Sequence, residues 1–170
     1  FSWLSHDDVY LPEKVSTQIE MIQGHNIPNL VGFGADMHID KHGNELSNVK
    51  QTVMFEEGTE IKWQQALAVF LKTGTFNGCA FLIPKEVLKQ CGPFDESLRY
   101  CQDWLMWLKI FTNGYSMVYT RQRNVQNRIH DRQLTQTGRA VFRKDSRAVF
   151  EMMIDKIVQL SNKEFNLLHK

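Results

Sequence analysis

The chain is poor in the features that usually declare a function. Its 170 residues contain only three cysteines, Cys79, Cys91 and Cys101, with no CxxC pair among them. An odd set of thiols at such wide spacing indicates neither a zinc ribbon nor a disulfide framework, so the cysteines read as reduced and the chain as cytoplasmic. No apolar run approaches the ~20 residues that a membrane span requires. There is no signal peptide pattern, although the chain does not start with Met. Twenty basic and 19 acidic residues leave a net charge of +1. That near balance carries no polyanion-binding footprint, and nucleic acid is not among the expected partners. A glycine-rich phosphate fingerprint, internal repeats and low-complexity linkers are also missing. What remains fits one globular domain long enough to bury a real core.

Against that background the first stretch, Phe1-Ser-Trp-Leu-Ser-His-Asp-Asp-Val-Tyr-Leu-Pro-Glu-Lys14, stands out. An apolar strand over Phe1–Leu4 is followed by the carboxylates Asp7 and Asp8, and Pro12 then opens a helix. Carboxylates at the carboxyl edge of an α/β sheet lie where such sheets bind ligands. Two adjacent anionic oxygen donors suit a hard divalent cation carrying a phosphorylated substrate. The alternative is a simple cap on the following helix.

The rest of the pattern alternates. Val15, Ile19 and Ile22 predict a helix over Pro12–Gln23 with a stop at Gly24. A strand over Asn29–Ile39, the turn Lys41-His-Gly-Asn44 and an extended run over Val49–Phe55 predict a hairpin. A helix over Ile61–Leu71 ends at Thr73-Gly74, a strand covers Phe76–Ile83, and a short helix over Lys85–Gln90 stops at Cys91-Gly-Pro93. A helix over Asp103–Phe111 ends at Asn113-Gly114 and Tyr115–Tyr119 returns as a strand. From Arg139 to Lys170 the chain reads as one long helix with Phe142, Val149, Met153, Ile157 and Leu160 near one face. Arg139, Arg143, Lys144 and Arg147 gather at its start, which suits either peripheral contact with an anionic membrane surface or a homodimer contact. Residues 1–137 are thus expected as the functional portion and residues 138–170 as a helical extension.

The order of strand, short helix, Gly92-Pro-Phe-Asp-Glu96 turn and Gln102-Asp103-Trp104 at the head of an apolar helix resembles the acceptor-side half of family 2 glycosyltransferases of the GT-A fold. Phe1–Lys14 resembles the metal-binding carboxylate motif of that family. Arg128-Ile-His-Asp-Arg-Gln-Leu-Thr135 resembles its segment in which a histidine completes the metal site. The resemblance implies an α/β fold with a mixed sheet flanked by helices, lacking the nucleotide-binding βαβ units that precede the carboxylate motif in the family. On that expectation the chain is the C-terminal portion of a catalytic domain, inactive by itself. It implies Asp7, Asp8 and His130 as ligands of Mn²⁺ or Mg²⁺, an imidazole suiting Mn²⁺ better than Ca²⁺. Asp103 is implied as the general base, with a first-turn helix cap as its alternative. Ser5 stands where the family has its first Asp, and with Arg128 and Arg132 is expected to bind the donor. Asn77, Gly78, Gln102 and Trp104 are expected to bind the acceptor. The implied reaction is inverting transfer of a sugar from a nucleotide-sugar to a glycan or lipid-linked acceptor, in bacterial surface polysaccharide synthesis. The other readings are a non-catalytic carbohydrate-binding module and a metal-dependent phosphoester hydrolase.

Overall fold

The computed structural model describes residues 1–47, 49, 55–74, 76–133 and 138–168, with side chains through residue 161. It is an α/β structure. In chain order the elements are β1 (Val9–Tyr10), α1 (Lys14–Gln23), β2 (Val31–Ile39), β3 (Glu60–Ile61), α2 (Trp63–Thr73), a 3₁₀ turn (Gly78–Ala80), β4 (Phe81–Leu82), α3 (Lys85–Cys91), α4 (Gln102–Thr112), β5 (Met117–Arg128) and α5 (Arg139–Leu168). The strands form a sheet in the order β1-β5-β2-β4, with β3 also paired to β5. Among the described residues only β2 and β5 run parallel; the other pairings are antiparallel. A mixed sheet flanked by helices and followed by a C-terminal helix is the expected fold class, and it is consistent with part of a GT-A-like fold.

Helix α1 lies close against the sheet because β2 presents glycines to it. A Cβ added at Gly32 would come 3.1 Å from Ile22 Cδ1, and one at Gly34 would come 3.1 Å from Gln18 Nε2. That proximity lets Gln18 Nε2 donate to the Ala80 carbonyl at 2.8 Å. The buried Lys14 ammonium donates to the Phe81 carbonyl at 2.8 Å and lies over the Tyr10 ring. On the other side of the sheet, aromatic rings fill the space beneath α2 and α4. Phe81 stacks on Trp107 with ring centroids 4.1 Å apart, and Phe76 meets Phe33, Phe70, Phe81 and Phe111. Helix α5 adds Val149 and Met153 to the same core.

Three expectations need correction. Phe1–Leu4 is not a ladder strand, although Phe1 and Ile83 exchange two backbone hydrogen bonds of 2.7 and 2.8 Å. The Phe81 carbonyl that would continue a ladder instead accepts from Ser2 Oγ and Lys14 Nζ. Phe76–Ile83 is mostly a turn, and only Phe81–Leu82 is strand. Asn77 Oδ1 accepts from the Cys79 amide at 3.0 Å, a local side-chain bond that wins over strand pairing. Finally, the strand ending the chain's sheet does not stop at Tyr119 but continues to Arg128. Its polar run Arg121-Gln-Arg-Asn124 lies at a register break, where Gly34 pairs Thr120 but Asp36 pairs Val125. The expected run over Val49–Phe55 falls largely outside the described residues. Before it, Ile39 and Glu45 form an isolated antiparallel bridge.

Candidate functional site

Two separate stretches meet at one end of the sheet. After Ser5 the chain turns, with the Asp8 amide donating to the Ser5 carbonyl at 3.3 Å, so that Asp7 and Asp8 are presented side by side before β1. Strand β5 ends against them. Asp8 Oδ1 accepts from the Arg128 amide at 2.9 Å and its Oδ2 accepts from the Cys79 thiol at 3.2 Å. Asp8 therefore clips the end of β5 to the turn that follows Asn77. Burial pushes its pKa up, opposed by the Arg128 amide. Burial also pushes the Cys79 thiol to about 11, so it stays protonated and able to donate.

Asp7 is turned the other way, toward His130. The ring Nε2 lies 3.0 Å from Asp7 Oδ2, and His130 Nδ1 accepts from the Arg132 amide at 3.2 Å. Since Nδ1 is an acceptor, the proton of the neutral ring sits on Nε2 and is donated to Asp7. Arg128 faces inward: Nε donates to the Asp7 carbonyl at 2.9 Å and Nη1 to the Asp40 carbonyl at 3.0 Å. Its guanidinium thus locks the carboxylate turn to the end of β2, while Arg132 is exposed. Among the described residues, no group of three His, Cys, Asp or Glu side chains is arranged to hold a metal ion. Asp7 and His130 come together, and Asp8 is engaged elsewhere.

From this edge a cavity of about 820 Å³ runs to the head of α4. Ser5, Asp7, Asp8, Asn77, Gly78, Gln102, Asp103 and Trp104 all line it. Asp103 sits in the first turn of α4, where its Oδ1 accepts from the Trp104 amide at 3.0 Å. Burial raises its pKa to about 6, against that amide, which pulls it down. Gly78 faces it: a Cβ there would lie 3.5 Å from Asp103 Oδ2 and 3.6 Å from Trp107. Asn77 Nδ2 donates to Asp36 Oδ2 at 2.7 Å. Trp104 packs edge-on against Phe70, Phe142 and Phe150, so most of its surface is core while one margin lines the cavity. Gln102 turns its amide nitrogen back to the Leu98 carbonyl.

Sequence reasoning missed several lining residues, among them Asp36, His38, Arg99 and Tyr100. Asp36 did carry a signal, as the single carboxylate within the otherwise apolar start of β2. Arg99 and Tyr100 carried none, because only the folded path of their loop brings them to the cavity.

The chain is 33% identical over 139 residues to an uncharacterized glycosyltransferase of Rickettsia typhi, covering 81% of this chain and 42% of that protein. A second uncharacterized glycosyltransferase, from Rickettsia bellii, is 34% identical over 133 residues, covering 78% of this chain and 19% of that protein. A third, from Rickettsia prowazekii, is 33% identical over 139 residues, covering 81% of this chain and 42% of that protein. The chain thus spans less than half the length of these relatives. No protein-family profile matches it.

Proposed function

We propose that this chain forms the acceptor-side and cation-binding portion of a family 2-type glycosyltransferase with a GT-A fold, one that transfers a sugar with inversion from a nucleotide-sugar to a glycan or lipid-linked acceptor. Similarity to glycosyltransferases over four fifths of the chain supports the class. The observation that carries the chemistry is a single cavity that joins Asp7 to Asp103, a carboxylate whose pKa of about 6 suits it to take a proton near neutrality. An acceptor hydroxyl beside Gly78 would give its proton to Asp103 as its oxygen bonds to the anomeric carbon. The bond from that carbon to the diphosphate breaks on the opposite face, and the nucleoside diphosphate leaves with the electron pair. Inversion follows from that single displacement. A role in bacterial surface polysaccharide synthesis belongs to the same reading.

The residues fit a divalent cation in a particular way. Asp7 is a carboxylate already oriented by a hydrogen bond, as ligating carboxylates generally are. Mg²⁺ is typically held by one or two carboxylates, with water and substrate phosphate completing its shell, so two further protein donors are not required. His130 in its present tautomer offers Asp7 a proton rather than a lone pair. It would join as a ligand only after Nδ1 gains the proton and the Arg132 amide turns away. Asp7, with His130 beside it, would hold the cation, which when bound neutralises charge on the leaving diphosphate.

The test uses the full-length protein with a panel of nucleotide-sugars and Mg²⁺ or Mn²⁺. Asp103→Asn should lower turnover by ~10²–10⁴ with donor affinity little changed. Asp7→Asn should instead weaken cation-dependent donor binding together with turnover. Wild-type protein that consumes no nucleotide-sugar with either cation would refute the proposal.

A further inference from the structure

Helix α5 looks from the sequence like an appendage, yet its second turn holds the loop that leads into Asp103. Asp145 is 6% exposed, and its Oδ2 accepts from two successive backbone amides, Arg99 at 3.0 Å and Tyr100 at 2.8 Å. Two charge-assisted bonds from one buried carboxylate are a strong local restraint. The next residue, Cys101, is buried and caps α4 in the left-handed region at φ +59, a conformation that is unfavourable for a non-glycine residue. Such a turn persists only when its surroundings determine it. Asp145, on the neighbouring element, holds the two residues that immediately precede the turn, and directly beyond it lie Gln102 and Asp103. Arg99, Tyr100, Cys101 and Asp103 all line the cavity, as does Phe142, one turn before Asp145 on α5.

We propose that Asp145 is a positioning residue of the acceptor side of the site, fixing the path of residues 99–101 and through them the Asp103 carboxylate and the cavity wall formed by Tyr100. The inference rests on the glycosyl-transfer reading for its kinetic consequence, but its structural core does not. By this account α5 is part of the site's framework, and the boundary between functional portion and extension disappears.

The experiment compares Asp145→Ala with Asp145→Asn in the full-length protein. Both delete the charge, but the amide oxygen of Asn can still accept from Arg99 and Tyr100, whereas Ala leaves both donors unpaired. The first readout needs no turnover: a carboxyl-carbon NMR titration of Asp103. In the Ala variant its midpoint should fall by about one pH unit toward the ordinary carboxylate range, as water reaches the carboxyl. In the Asn variant it should stay close to wild type. The second readout is kinetic. Asp145→Ala should raise the acceptor KM and lower kcat, together about 10²-fold in kcat/KM, with the donor KM unchanged, and Asp145→Asn should restore most of it. Should the Ala variant not fold, Asp145→Ser, whose hydroxyl reaches less far, takes its place. An Ala or Ser variant with only a lower Tm and an unmoved Asp103 titration would overturn the proposal. So would an Asn variant as impaired as Ala, since charge rather than grip would then matter. Wild-type protein without transfer activity refutes the catalytic reading alone, and the titration still decides Asp145.

Discussion

Asp103 pays for its place in the cavity with stability. Its pKa is raised from 3.8 to about 6 by burial, so the folded state binds its proton more tightly than the unfolded chain does. Below about pH 4 the carboxyl is protonated in both states and the burial costs nothing. As pH rises through the window from about 4 to 6, the unfolded state ionises first and folding loses free energy, the full loss being reached above the folded pKa. Asp103→Asn keeps the oxygen that accepts from the Trp104 amide but cannot ionise. It should therefore stabilise the fold by on the order of 1–3 kcal/mol near pH 8, the gain disappearing below about pH 4. Thermal unfolding of both proteins across that range checks the sign. An Asn variant less stable than wild type near pH 8 would mean that the carboxylate serves as a helix cap, not as a residue held at cost for chemistry.

At the level of elements, legibility followed local signals. Gly74 ends α2 in the left-handed conformation, as the Thr73-Gly74 pair suggested, and α3 and α4 fall within a residue or so of their apolar periodicity. Where the signal was not local, it failed. The expected strand stopped at Tyr119 because the solvent-facing Arg121, Gln122 and Arg123 follow, and β5 continues past them with β2 and β1 on either side of it. The close approach of α1 to β2 was likewise invisible, since Gly32 and Gly34 look like mere breaks in an apolar run until the helix is seen above them. That approach can be tested. Gly34→Val would drive methyl groups into Gln18 Nε2 and Thr120 Cγ2, which a Cβ alone would meet at 3.1 and 3.5 Å, and should cost about 1–3 kcal/mol by lowering the urea midpoint. Gly24→Ala is the control. Gly24 adopts helical φ and ψ of −65° and −16°, and its Cβ would make only ordinary contacts, so stability should be unchanged or slightly higher.

Across the whole molecule, the cavity draws on segments far apart in the chain, from Trp3 and Asp8 through Asp36, Asn77 and Asp103 to Asn127 and Phe142. The motif order pointed to Asp7, Asp8 and Asp103, each following a recognisable local pattern, and all three line one cavity. It could not assign partners: that Asp8 would serve as a clip and Arg128 as a lock depends on contacts between the two ends of the described fold. If Asp7 holds a cation bridging the donor diphosphate, ligand and ion must stabilise the full-length protein together. A nucleoside diphosphate with Mn²⁺ or Mg²⁺ should raise Tm by more than the sum of the separate shifts, a complex at one hundred times its Kd contributing about 2.7 kcal/mol. Strictly additive shifts, or none, would exclude a shared site. The same long-range clip also orders the protein's birth. Asp8 and its partner Arg128 are 120 positions apart, and Asp7 and His130 are 123. Contacts so distant in sequence form slowly, because the intervening chain must be closed into a loop first. During translation Asp7 and Asp8 emerge before β5 and stay without their β5-side partners until that strand has been made. A nascent chain interrupted before β5 therefore carries both acids but neither of these contacts, which can form only once residues 128–130 have been made.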